Sequence, residues 1–214
     1  MNPPLRLPRL HEKGEARSCA IMGLVDPTWE AKELGIEMDA FRDWAMGNLV
    51  DNRNRGIFAE WLVGQALGAI GDGEVRHEWD AYDLLYENKI KVEVKASGLS
   101  QAWSQDKPSR PNFNIAPRSS HWIAKDNKWF KHEKPERFAD VYVFCLHEPE
   151  RATNENVRDS ASWKFWVISR PYIDYKLGGQ KTVGTATLDQ LAKPIQWSEI
   201  KAEVDRLNST KSVD

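Results

Sequence analysis

Between Ile90 and Gly98 the chain alternates. Ile90, Val92, Val94 and Ala96 are apolar, while Lys91, Glu93, Lys95 and Ser97 are polar. Successive strand side chains point to opposite faces, so the pattern predicts a strand with one apolar face and one face carrying a carboxylate beside an ammonium. Upstream, NRGIFAEWLVGQALGAIGDG has apolar residues at helical spacing and predicts the strongest helix, stopped by Gly71 and Gly73. Gly56, Glu60, Gly64 and Leu67 lie on one stripe of it, so two glycines flank a glutamate and would let another element approach. Asp26 and Pro27 are fitted to open a helix, and Phe41, Ala45, Asn48 and Leu49 predict one over 37–50. EVRHEW (74–79) and AYDLLYEN (81–88) read as strands, the second turning at Glu87-Asn88 into the alternating stretch, which gives a three-strand meander.

After Gly98 the pattern becomes irregular, with a short helical turn expected at LSQAWSQ. DVYVFCLH (140–147) is a continuous apolar run of strand length, and WKFWVIS (163–169) is its expected neighbour. Thr187 and Gln190 form the spacing of a capping box, and Ser198 is fitted to cap a last helix that buries Ile200, Val204 and Leu207. Residues 1–25 carry Pro3, Pro4 and Pro8 without periodicity and read as an extended or flexible tail. The rest, 26–210, reads as one domain. The order of elements predicts an α/β fold, a mixed central β-sheet flanked by helices.

Composition narrows the class. At 214 residues and 41% hydrophobic the chain can bury a substantial core. No run approaches the ~20 apolar residues of a membrane span, and the N-terminus lacks the apolar stretch of a signal peptide, so a cytoplasmic protein is expected. Cys19 and Cys145 form neither a disulfide framework nor a zinc spacing. The net charge is -2, but Lys89 to Arg137 holds eleven Lys/Arg against five Asp/Glu. A basic middle in an acidic chain suits either a phosphate backbone or a solvated loop. The ten tryptophans suit a bulky core, with one or two available for base stacking.

The polar face of the alternating strand carries the candidate chemistry. Hydrolysis of a phosphodiester needs a hard cation on oxygen ligands, and a positive group where negative charge accumulates. Glu93 and Lys95 put both kinds of group on one face. The Glu87-Asn88 turn would bring Asp83 beside Glu93, and two carboxylates so close would repel each other without a cation. Asp80 competes with Asp83, but a regular strand points it to the opposite face. Ser97 shares the face, and Gln101 and Gln105 follow it. Trp103, Arg110, Arg118 and Lys125 are candidates to touch nucleic acid. The plainer reading pairs Glu93 with Lys91 or Lys95 on a salted surface, worth under ~1 kcal/mol if exposed. GGQKT (178–182) lacks the glycines of a phosphate loop, HEPER (147–151) lacks the second zinc-ligand histidine, and His121, His132 and His147 have no ligand spacing.

The arrangement D-x9-E-x-K, with a glutamate-bearing helix upstream, resembles the PD-(D/E)xK nuclease superfamily. The resemblance spans about Asn54 to His147, and the segments WDAYDLL, VEVKASGLSQAWSQ, DVYVFCL and FWVISRPYI are similar to bacterial members. It departs in having Tyr82 in place of the motif proline, and Pro108 and Pro111 where a helix would follow. What it implies is a restriction-endonuclease-like core and a Mg²⁺-dependent nuclease, with Mn²⁺ able to substitute. Asp83 and Glu93 would hold the metal with the Val94 carbonyl, Glu60 would complete the shell, and Lys95 would be the motif lysine. The implied partner is DNA, double-stranded in the first instance, in restriction, mobile-element defence or repair. Duplex cleavage would suit a homodimer. The alternative is a non-catalytic nucleic-acid-binding or assembly subunit on the same fold.

Overall fold

The computed structural model describes residues 37–76, 81–123 and 127–209. The expected tail and the Asp26-Pro27 helix start lie outside these residues, as do Asp80 and Lys125. A four-stranded mixed sheet, in the order β1-β2-β6-β7, forms the centre. Strand β1 (Leu84–Tyr86) pairs antiparallel with β2 (Ile90–Gly98) through a turn in which Glu87 and Asn88 both take positive φ, 50° and 55°. Two such residues match the right-handed twist of a hairpin. Strand β2 then runs parallel to β6 (Val141–His147), which pairs antiparallel with β7 (Trp163–Ser169). The mixed sheet expected from the sequence is therefore present.

All seven residues of β6 are buried. Val141, Val143 and Cys145 face one core, under α2 (Asn52–Leu67) and α6 (Ile200–Ser209). Tyr142, Phe144 and Leu146 face a second core with Phe113, Ile173 and Leu188. A strand covered on both faces reads as a continuous apolar run, since neither face needs polar residues. Each such side chain contributes roughly 1.5–3 kcal/mol on burial. The second core is closed by α4 (Arg170–Leu177), α5 (Thr185–Leu191) and a small ribbon of β3 (Asn112–Asn114) with β8 (Thr182–Gly184). A second ribbon, β4 (Arg118–Ile123) with β5 (Lys128–Glu136), is not part of the central sheet. Two short helices, α1 (Met38–Met46) and α3 (Asn154–Arg158), complete the described elements. Among the described residues no helix is long and apolar enough to cross a membrane.

Several expectations are corrected. Helix α2 ends at Leu67, because Gly68 takes φ 63° and donates its N–H to the Gln65 carbonyl; Gly71 and Gly73 lie beyond it. Residues 74–76 form no strand, and 77–79 lie outside the described residues. Glu74 closes a turn onto Gly71, its Oε2 accepting the Gly71 N–H at 2.8 Å, and Arg76 is drawn to Glu60. Strand β1 keeps only three of the eight residues expected. LSQAWSQ is not helical. Helix α5 starts at Thr185 after a Gly184 cap, so Thr187 is inside it and the capping box does not form there. A capping box forms instead at Gln196 and Glu199, opening the short 3-10 turn that leads into α6, so Ser198 is not the cap. Helix α1 buries none of its residues, and Trp44 is 84% exposed.

Candidate active site

Asp83 stands one residue before β1. Its N–H donates to the Val92 carbonyl (3.0 Å), and its Oδ2 accepts the Val94 N–H (2.6 Å). Leu84, the first paired residue of β1, sits opposite Val92, and Asp83 just before it bonds Val92 and Val94, so its contacts bracket Glu93 along β2. The N–H and C=O of one strand residue face the same edge, so the Val94 carbonyl faces the Asp83 edge too. Glu93 is 5% exposed and borders the second core. The Lys95 ammonium and the Arg118 guanidinium (3.3 Å) both reach its Oε1. Glu93, Lys95 and Arg118, with Tyr142, Glu136 and Arg137 but not Asp83, line a cavity of about 10 Å³. That is close to the space one water molecule requires.

Burial sets the electrostatics first, and negative charge second. Burial, and then the charges of Glu93 and Glu60, push the Asp83 carboxyl up to about 7, against the opposing pull of Lys95 and the Val94 N–H. Near neutral pH it is therefore only partly ionised. Burial first, and then Glu93, also pushes the Tyr142 hydroxyl upward. Glu60 is clasped by Arg76, whose Nε meets Oε2 while Nη2 meets Oε1 at 2.9 Å. Its glycine stripe admits a neighbour on one side: a Cβ on Gly64 would lie 2.3 Å from Ile70 and 3.4 Å from Leu84, while Gly56 faces open space. Among the described residues, no three His, Cys, Asp or Glu side chains are grouped to hold a metal ion. The oxygens that would hold a hard cation, on the pattern D-x9-E-x-K, are those of Asp83 and Glu93 with the Val94 carbonyl. The smaller part of the Asp83 rise, the repulsion from Glu93 and Glu60, is the charge such a cation would offset.

No family model and no curated protein matches the chain. Of the others expected, Ser97 lies on the strand face of Glu93 and Lys95, opposite Leu146 in register. Gln101 is engaged elsewhere: Nε2 donates to Ser109 Oγ (2.9 Å), its N–H donates to Gln105 Oε1 (2.7 Å), and its Oε1 meets Arg55 (3.5 Å). Trp103 is 61% exposed and Arg110 is exposed, both on the loop after β2.

Two arginines are absent from the sequence reading. Arg137 is buried and donates to the carbonyls of Ile115 (2.7 Å), Gly178 (2.8 Å) and Gln180 (2.9 Å) and to Asp174 (2.5 Å). It fastens α4 and the second core beside the cavity. Arg55, on α2, is buried against Gly98 and donates to the Ser100 carbonyl (2.7 Å). It ties that helix to the exit of the motif strand, and burial pulls its pKa down. Arg137 is satisfied mainly by backbone oxygens and Arg55 by Ser100, Asn52 and Gln101, partners that carry no charge pattern in the sequence. His121 and His132 also meet across β4–β5, with Nδ1 and Nε2 2.9 Å apart, and Glu136 holds the far nitrogen of His132.

Proposed function

We propose that this chain is a divalent-metal-dependent nuclease that hydrolyses DNA phosphodiester bonds on a restriction-endonuclease-like core. The observation that carries the reading is a buried Asp83 at the edge of β2, its carboxyl raised to about 7 by burial first and then by the charges of Glu93 and Glu60, with Lys95 on the Glu93 face. Asp83 and Glu93 would hold Mg²⁺, or Mn²⁺ in its place, with the Val94 carbonyl. Bound there, the cation supplies positive charge against the phosphate and lowers the pKa of water. Lys95 orients the attacking water and meets the negative charge of the transition state. Lys95 is ion-paired with Glu93, so it serves as a cation rather than as the proton acceptor. Arg118, exposed along much of its side chain, releases Glu93 to meet a phosphate oxygen. Glu60, fixed by Arg76, deepens the negative field from α2.

A nuclease assay with Mg²⁺ or Mn²⁺ on duplex, nicked and branched DNA tests this. Wild type is expected to cleave at least one substrate and to stop on chelation. Asp83→Asn and Lys95→Ala are each expected to lose about 100-fold or more. Unchanged activity in both variants rejects the assignment. One observation favours a non-catalytic binding subunit instead: Lys95 and Arg118 both lie on a single Glu93 oxygen, a self-satisfied ion cluster. Salt-sensitive DNA binding with no Mg²⁺ uptake by calorimetry would establish that alternative. Restriction, defence and repair reuse one core, so the fold does not select among them.

A further inference from the structure

The β4–β5 ribbon was expected to be irregular chain, and it is the most distinctive surface of the molecule. Its base adjoins the candidate active site: Arg118 reaches Glu93, and Glu136 lines the same cavity as Lys95. A lone two-stranded ribbon is marginally stable in water. This one is braced by rings, His121 and His132 packing on Phe138 at 4.2 and 4.7 Å between centroids, with Phe130 stacked on His121 at 5.5 Å. Further out, Trp122 and Trp129 face each other across the strands at 5.8 Å, and Trp129 is 57% exposed. Lys128, Lys131 and Lys134 are exposed, and no ion pair among the described residues engages them. Of the two glutamates on β5, Glu136 is paired with His132.

We infer that this ribbon is an arm that binds single-stranded nucleic acid, so that the preferred substrate carries an unpaired segment next to the bond that is cut. The lysines fit a phosphate backbone by charge. An exposed indole stacks on any unpaired base, whereas the bases of a duplex already stack on each other. The position of the cleaved bond rests on the nuclease reading. The binding of an unpaired strand does not.

The test is fluorescence anisotropy of labelled oligo(dT) and of a blunt duplex of equal length, with the full chain, in chelator. Oligo(dT) is expected to bind at least about tenfold more tightly than the duplex. Trp129→Ala is expected to weaken it by about five- to 150-fold, the worth of one base–aromatic stack. Trp129→Phe keeps a ring and should retain most of the affinity, which separates stacking from a disturbed ribbon. Equal binding of oligo(dT) by wild type and Trp129→Ala overturns the inference. So does duplex binding as tight as oligo(dT), or Trp129-dependent binding of polyglutamate at equal affinity, which would make the arm a site for acidic protein. If Lys95→Ala cleaves like wild type while the Trp129 effect persists, the nuclease assignment falls and the arm stands. If Lys95→Ala abolishes cleavage and Trp129→Ala changes no binding, the reverse holds.

Discussion

Asp83 is the residue at which fold stability and proposed function conflict. Its carboxyl, raised to about 7, holds a proton in the folded chain over a pH range where the unfolded chain has lost it. The folded state thus binds more protons between about pH 4 and pH 7, and stability falls as pH rises through that window. Below it both states are protonated and the group costs nothing; above it the full penalty applies, on the order of 2–4 kcal/mol. Asp83→Asn removes the charge and keeps an oxygen for the Val94 N–H. In chelator it should melt at higher temperature than wild type at pH 8, and the gap should close toward pH 5. Melting curves by circular dichroism at both pH values check this, and a gap independent of pH would show that the Asp83 carboxyl is not raised in the folded chain.

At the scale of elements, the link between α2 and the motif strand is the joint that keeps Glu60 and Glu93 in one field. Gly98 belongs to that joint: a Cβ there would lie 2.8 Å from Arg55 Nη1 and 2.9 Å from Cζ. Arg55 cannot withdraw without losing the Ser100 carbonyl inside the protein. Gly98→Ala should therefore destabilise by about 1–3 kcal/mol. Combined with Arg55→Ala it should cost less than the two single changes added together, a coupling that a double-mutant cycle by urea unfolding measures. Strict additivity would mean that the two groups do not meet. The same scale explains what the sequence revealed. Strands β6 and β7 were legible because burial on both faces demands an unbroken apolar run. The meeting of Glu93 with Lys95 was legible because strand parity puts residues i and i+2 on one face. The expected strand at 74–79 failed at its start because Arg76 answers Glu60, a contact between chain segments that no local window contains. The β4–β5 ribbon was hidden because most of its residues lie in water and its bracing rings, His121, His132 and Phe138, come together only through pairing.

For the whole molecule the decisive property is where charge sits. The stretch from Lys89 to Arg137 carries an excess of positive charge in a chain whose net charge is -2, so the other residues are strongly acidic. The motif strand and both strands of the ribbon belong to that basic stretch, while α2 and α6 do not. A polyanion is thereby drawn to the β2 and ribbon side and repelled by the rest. If the four cations Arg118, Lys128, Lys131 and Lys134 each meet a phosphate, the affinity for oligo(dT) should fall with salt at a log–log slope of about -3. Replacing Lys131 and Lys134 together by alanine should bring the slope to about -1.5 and should weaken binding most at low salt. Replacing two lysines outside this stretch, Lys193 and Lys201, should leave the slope unchanged. Anisotropy titrations across a salt series measure all three, and equal slopes for all three proteins would place the nucleic-acid contact somewhere other than the ribbon.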